Sequence, residues 1–328
     1  MSGQSRNIEP VTREAPVTRE APVTREPLLP DEGVEEAATS NDETRTSVLT
    51  LVRGRELHLH RMIEGLKRQT VLPGELVIAF MQPRPMRDLP PTPFPVRTVV
   101  VDRNYLPLAE ARNAAARSAT YKKLIFLDVD CVPSPRLVES YLEGLQNTCG
   151  VLQGEVSYLS ALPDDAPVDY DAFERDGQVH PSRPPIPASG LIEEPDMGML
   201  WGLNFALHRR LFLKVGGLDE RFIGYGGEET DFARNLAAVG AKLHWCGGAK
   251  AYHQHHTVMR PPLQHFGDIV RNARLFHDKW GDWCMDYWLG QLHERGYIHW
   301  DTQRITVLRR PTPAEIVAAR CTREERFS

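Results

Sequence analysis

Long apolar runs are missing from this sequence. No stretch approaches the roughly 18 residues that a membrane-crossing helix needs, and the polar, acidic N-terminal region holds no apolar segment of the secretory type. A soluble, cytoplasmic protein with no transmembrane segment is expected. An excess of positive charge is missing as well. Lys and Arg number 39 against 44 Asp and Glu, a formal net charge of −5, which leaves nucleic-acid binding without electrostatic support. Cysteine is sparse. The five thiols (131, 149, 246, 284 and 321) are odd in number, widely spaced and form no CxxC pair, so neither a disulfide framework nor a zinc site is indicated. What remains is a chain of 328 residues, long enough for one large or two medium domains with a substantial core.

Residues 1–45 do not read as folded. The unit PVTR recurs at 10, 16 and 22, and its mix of Pro, Thr, Arg and Glu cannot bury enough surface to offset chain entropy. From Thr46 the pattern changes. TSVLTLV, GELVIAF, VRTVVVD and KKLIFLDVD read as strands. Between them, ELHLHRMIEGLKRQT has amphipathic helical spacing, and PLAEARNAAARSA is an alanine-rich helix with Pro107 in its first turn. Strands alternating with helices argue for a mostly parallel α/β sheet flanked by helices, with ligands at the carboxyl ends of the strands. The second half is less regular. Residues 163–198, rich in Pro, Asp and Gly, read as a long loop of the lid type; GEETDFARNLAAVG is a helix stopped by Gly240; AKLHWC and AKAYHQHH are strand-like. From Pro261 the chain reads as a helical extension. Its Trp280, Trp283, Trp288 and Trp300 could stack on a sugar or touch a membrane surface peripherally, but core packing between helices is the simpler account.

Three clusters carry chemistry. Asp128 and Asp130 follow an apolar strand, and on an extended chain they point the same way. Paired carboxylates repel unless a cation or backbone amides hold them, and hard divalent ions bind through one or two carboxylates plus substrate phosphates. GYGGEETDF places three glycines before Glu228, Glu229 and Asp231. The helix dipole would account for one or two acids there. It does not account for the glycines, which allow unusual torsions or a close approach to ligand. A carboxylate held ionised at such a turn could act as a general base. His253, His255 and His256 follow a short strand. Imidazole suits Mn²⁺ better than Mg²⁺, and His253, next to the strand, is the first choice of ligand.

In combination these motifs resemble the inverting nucleotide-sugar glycosyltransferases of GT-A fold, in particular glycosyltransferase family 2 and the galactosyltransferase C-terminal region. The resemblance spans about residues 46–260 and rests on EARNAAA followed by LIFLDVD, on GGLDERFIGYGGEETDFARNLAAVG, and on AYHQHH. It implies a catalytic domain over 46–260, with a nucleotide-sugar half (46–150) and an acceptor half (151–260), followed by the extension 261–328. It implies Mn²⁺ or Mg²⁺ held by Asp128, Asp130 and His253, with His256 the next candidate. Glu229 takes the position of the base, with Asp231 as second candidate, and Glu228 that of a hydrogen-bond partner to the acceptor. Tyr225 would line the donor-sugar or acceptor pocket, Arg112 would lie near the nucleotide, and Arg53 would contact base or ribose unless it is a plain surface arginine. The implied donor is a UDP-sugar, with GDP open, and the implied acceptor is an unidentified hydroxyl compound. One departure stands out. Family members carry an aspartate after the second strand, where this chain has Met81 and Gln82; Asp102, after the third strand, could serve instead. Two rival readings are a sugar-nucleotide-binding protein without transfer, which has no need of Glu228 and Glu229, and a nucleotidyltransferase. The latter calls for a glycine-rich, lysine-bearing loop that LVRGRELH does not supply.

Overall fold

A computed structural model describes residues 42–321 and 326–327. The repeat tail expected over 1–45 lies outside the described residues except for 42–45. Continuous apolar runs make the first strands: β1 (Ser47–Val52), β2 (Glu75–Phe80) and, after the edge strand β3 (Val96–Val100), β4 (Lys123–Leu127). Every residue of β1, β2 and β4 is buried, as strands covered on both faces require. Helix α1 (Glu56–Lys67) buries Leu59, Met62, Ile63 and Leu66, a helical stripe. Helix α2 (Leu108–Ser118) turns Ala109, Ala111, Ala115 and Ala116 inward, small side chains that permit close approach to the sheet. Two large apolar clusters result. One contains the α1 residues, the other the α2 alanines.

After β4 come β5 (Cys131–Pro133), α3 (Leu137–Asn147), β6 (Val151–Gln153), β7 (Val156–Tyr158), α4 (Tyr170–Asp176), β8 (Gln178–Val179) and β9 (Leu191–Glu194). Then follow β10 (Asn204–His208), α5 (Arg209–Lys214), α6 (Glu228–Ala238), β11 (Leu243–Cys246) and β12 (Ala251–His253). The main sheet runs β3-β2-β1-β4-β10-β6-β11-β9. Its first half is parallel, as expected. β10 lies antiparallel between β4 and β6, and β9 closes the edge antiparallel to β11, so the sheet as a whole is mixed. Residues 163–198 are not all loop. They hold α4, β8 and β9, elements too short to show a period in sequence. A second sheet, β5-β12-β7-β8, sits beside the main one.

The C-terminal part is helical, with α7 (Phe266–Trp280), α8 (Asp286–Glu294) and α9 (Pro313–Ala318), and it adds a small antiparallel pair, β13 (Ile298–Trp300) with β14 (Ile305–Val307). Its own core gathers Phe266, Ile269, Leu289, Leu292 and Tyr297, with Trp283, Trp288 and Trp300 packed against it. Among the described residues no helix is long and apolar enough to cross a membrane.

Candidate functional site

The site forms where β4 gives out. The strand ends at Leu127, and the chain turns at once, with Cys131 N–H donating to the Asp128 carbonyl at 2.9 Å. The turn separates two carboxylates that an extended strand would have kept side by side. Asp130 leads into β5, which pairs with β12 so that Cys131 faces His253; Gln254 N–H donates to the Asp130 carbonyl at 2.7 Å. Because β12 stops at His253 and the chain then bends, His256 folds back toward the same carboxylate, its Nε2 lying 3.5 Å from Asp130 Oδ2. One ligand atom each from Asp130, His253 and His256 falls within a 4.8 Å span. Asp130 Oδ1 is buried and has no hydrogen-bond partner. An orphaned carboxylate oxygen beside two imidazoles fits a divalent cation. Both imidazoles are in the neutral, ligating form at pH 7. Burial and the neighbouring His256 push His253 well below its ordinary value, and burial with Arg55 brings His256 down to about 4.

Asp128 lies outside that trio. Its carboxylate accepts from Val129 N–H at 2.8 Å, and burial raises its pKa against the opposing pull of Arg112 and Arg55. It therefore stands between the Asp130 cluster and a second one, built on the glycine turn. Gly224, Gly226 and Gly227 take φ of 77°, 89° and 91°, the left-handed torsions anticipated for this turn, and Gly227 is the N-cap of α6. Glu228 and Glu229 open the helix and are clamped by Arg112 of α2: Nη1 to Glu228 Oε1 at 3.3 Å and Nη2 to Glu229 Oε1 at 2.7 Å. Gly202 N–H donates to the other Glu229 oxygen at 2.8 Å. A Cβ on Gly202 would lie 1.9 Å from Glu229 Oε1, so any larger residue here has to push the Glu229 carboxylate and the Arg112 guanidinium aside. Burial, with Glu229 beside it, raises the Glu228 pKa to about 7, and Arg112 restrains the rise. Asp231 is differently placed: fully buried, it accepts from Trp280 Nε1 at 2.8 Å and pairs with Lys279 at 2.6 Å.

The other candidates sit around these clusters. Tyr225 stacks between His265 and Trp288, at 4.4 and 5.5 Å between centroids. Arg53, at the end of β1, donates to the Tyr105 carbonyl at 3.0 Å, and Asp102 is exposed after β3. Gln82 stands where an aspartate was expected and accepts from Gly54 N–H at 2.8 Å, tying the two strand ends together. Arg183, from the 163–198 segment, stacks 3.4 Å over Trp201, the residue before Gly202. Sequence reasoning passed over Gly202, and also Arg55 and His58, which both approach Asp130. The only trace of Arg55 was a second arginine in RGR after the first strand.

Fold and site together define an α/β protein with a divalent-cation type of cluster next to an arginine-clamped glutamate pair at the strand ends. The profile of glycosyl transferase family 2 matches residues 47–216, and a profile described as the N-terminal domain of galactosyltransferase matches residues 196–257. The chain belongs to glycosyl transferase family 2 and is a glycosyltransferase. The chondroitin synthases of Pasteurella multocida (strain Pm70) and Escherichia coli are each 27% identical over 173 residues, 45% of this chain and 18% and 25% of theirs. The hyaluronan synthase of Pasteurella multocida is 25% identical over 185 residues, 48% of this chain and 19% of its own length. The chain thus spans a quarter or less of these curated relatives. Looser overlaps occur with two solved structures. GalNAc-T7 with UDP, GalNAc and Mn²⁺ gives a TM-score of 0.47 at 16% identity, covering 66% of this chain and 45% of that one. S. aureus TarS 1–349 gives 0.48 at 10% identity, covering 76% and 72%.

Proposed function

We propose that this glycosyltransferase moves a sugar from a nucleotide-diphosphate donor, a UDP-sugar by preference, to an acceptor hydroxyl by a single inverting displacement. The observation that carries the reading is adjacency: the Asp130–His253–His256 trio and the Glu228–Glu229–Arg112 clamp flank one carboxylate, Asp128. In this reading residues 46–260 are the catalytic unit. Asp130, His253 and His256 hold Mn²⁺ or Mg²⁺, the mixed oxygen and nitrogen set favouring Mn²⁺. Bound there, the ion supplies Lewis-acid stabilisation to the departing diphosphate. Asp128 faces the donor and sets its orientation, and Arg53 and Asp102 border the nucleotide side. Tyr225 walls the sugar pocket.

Glu229 is the base. Its side chain is 33% exposed where that of Glu228 is 5%, and an acceptor hydroxyl must be able to reach the group that takes its proton. Arg112 and Gly202 N–H hold Glu229 in its aim while leaving lone pairs free on both oxygens. Glu228, buried behind it, holds the Arg112 guanidinium in line with Glu229, and takes the acceptor's hydrogen bond only if the acceptor opens a path to it. Asp231, locked by Lys279 and Trp280, plays its part in holding α7 to α6. Arg183 over Trp201 pins the segment that excludes water from the reaction. Because the curated relatives are named chondroitin and hyaluronan synthases, glycan acceptors are the first class to try.

The test has two parts. A thermal-shift screen of UDP- and GDP-sugars, with and without Mn²⁺ or Mg²⁺, identifies the donor. With that donor, Glu229→Gln is expected to keep binding and lose transfer, and Asp130→Ala to lose the metal-dependent part of the shift. Transfer by the glutamine variant at the parent rate would refute the base assignment.

A further inference from the structure

Among the described residues Arg55 is the one arginine or lysine that reaches Asp130, and its backbone is unusual. At the N-cap of α1 it adopts φ 56° and ψ 42°, left-handed for a residue that is not glycine, without making a side-chain cap. Such torsions are unfavourable and persist where the surroundings impose them. What this one achieves is aim. The guanidinium is brought onto Asp130 Oδ2, the oxygen that also faces His256 Nε2 at 3.5 Å, while Oδ1 turns toward His58 at 3.9 Å. The Asp130 side chain is 3% exposed and that of Arg55 38%, so the arginine enters from the rim and has solvent to swing back into.

We propose that Arg55 and the divalent ion compete for Asp130 Oδ2, so that Arg55 sets how tightly the free enzyme holds its metal. The inference rests on the metal reading of the Asp130–His253–His256 trio. Two cations on one carboxylate oxygen repel at close range in a poorly screened site, so binding the ion requires the guanidinium to leave. Each bound ion therefore carries the cost of breaking an ion pair whose carboxylate is buried and whose guanidinium lies at the rim.

The experiment is titration of Mn²⁺ alone into the full chain, without nucleotide, by calorimetry, comparing parent, Arg55→Ala, Arg55→Gly and Asp130→Ala. Arg55→Gly suits the left-handed torsion better than arginine does, so it answers the question if the alanine variant folds poorly. Removing the competitor is expected to tighten Mn²⁺ binding by between about 5- and 150-fold, the usual span for coupled binding events, while Asp130→Ala abolishes it. Equal or weaker binding by both Arg55 variants, with Asp130→Ala still losing it, overturns the competition and leaves the metal site standing. If parent and variants all fail to bind Mn²⁺, the metal reading and the competition fall together.

Discussion

At the scale of single residues, Glu228 is the group whose surroundings make the sharpest demand. It is buried, lies beside Glu229, and has a pKa raised to about 7 that Arg112 keeps from rising further. A carboxyl group raised above its unfolded value favours the folded state while it is protonated. That stability is complete below the unfolded value near 4.5 and is lost as pH climbs through about 7, because the folded state then binds more protons than the unfolded one. Glu228→Gln removes this dependence while retaining an acceptor for Arg112. Melting curves between pH 4 and 8 should therefore fall more steeply for the parent than for the variant, with a differential on the order of 1–3 kcal/mol. Identical slopes would mean that Glu228 is not held in its neutral form. The residue chemistry was partly legible beforehand. Asp130, the histidines and the two glutamates announce themselves by type and spacing. Arg55 and Gly202 do not, because an arginine after a strand and a glycine after a tryptophan gain meaning only from the carboxylates that the fold brings to them.

At the scale of elements, the alternation of strand and helix between β1 and β4 was readable because each piece is long enough to show its period. The later strands are two to five residues long and many pair across large separations in sequence, so their order and direction could not be read from periodicity. Contact between α6 and α7 was equally hidden. Asp231 had a place among the candidate bases because it sits in the acidic first turn of α6. The structure gives it Lys279 and Trp280 of α7 and Asn235 one turn on. Lys279 also approaches the fully buried Asp219 at 3.5 Å. Lys279→Met is expected to leave the fully buried Asp231 short of its cation, destabilising the protein by about 3–5 kcal/mol. Urea denaturation would measure this. A loss below about 1 kcal/mol would show the pair to be no stronger than a surface bridge.

At the scale of the whole molecule, a boundary at residue 260 divides in sequence what packs together in space. The glycine turn that presents Glu228 and Glu229 rests on the C-terminal helices. Asn272 of α7, fully buried, donates Nδ2 to the carbonyls of Ile223 at 3.1 Å and Gly226 at 2.7 Å. Tyr225 stacks on Trp288, and a Cβ on Gly226 would lie 2.6 Å from Met285 Sδ. The C-terminal tryptophans so belong to a core that buttresses the turn, where three left-handed glycines within four residues carry no side chains of their own to pack and gain from such a buttress. Asn272→Ala takes the side-chain donor from the Gly226 carbonyl, while that of Ile223 keeps Arg271 Nη2, and this should cost about 1–3 kcal/mol in stability. It should also let the glutamates drift by a fraction of an ångström to an ångström, enough to lower kcat by roughly 10²-fold. Donor and metal binding should hardly change, since the Asp130 trio is built on β5 and β12. Steady-state kinetics beside a thermal-shift titration with the nucleotide sugar separates the two effects. A variant that loses donor affinity as much as kcat would show that the C-terminal layer supports the whole cleft, whereas loss of kcat alone locates its support at the acidic turn.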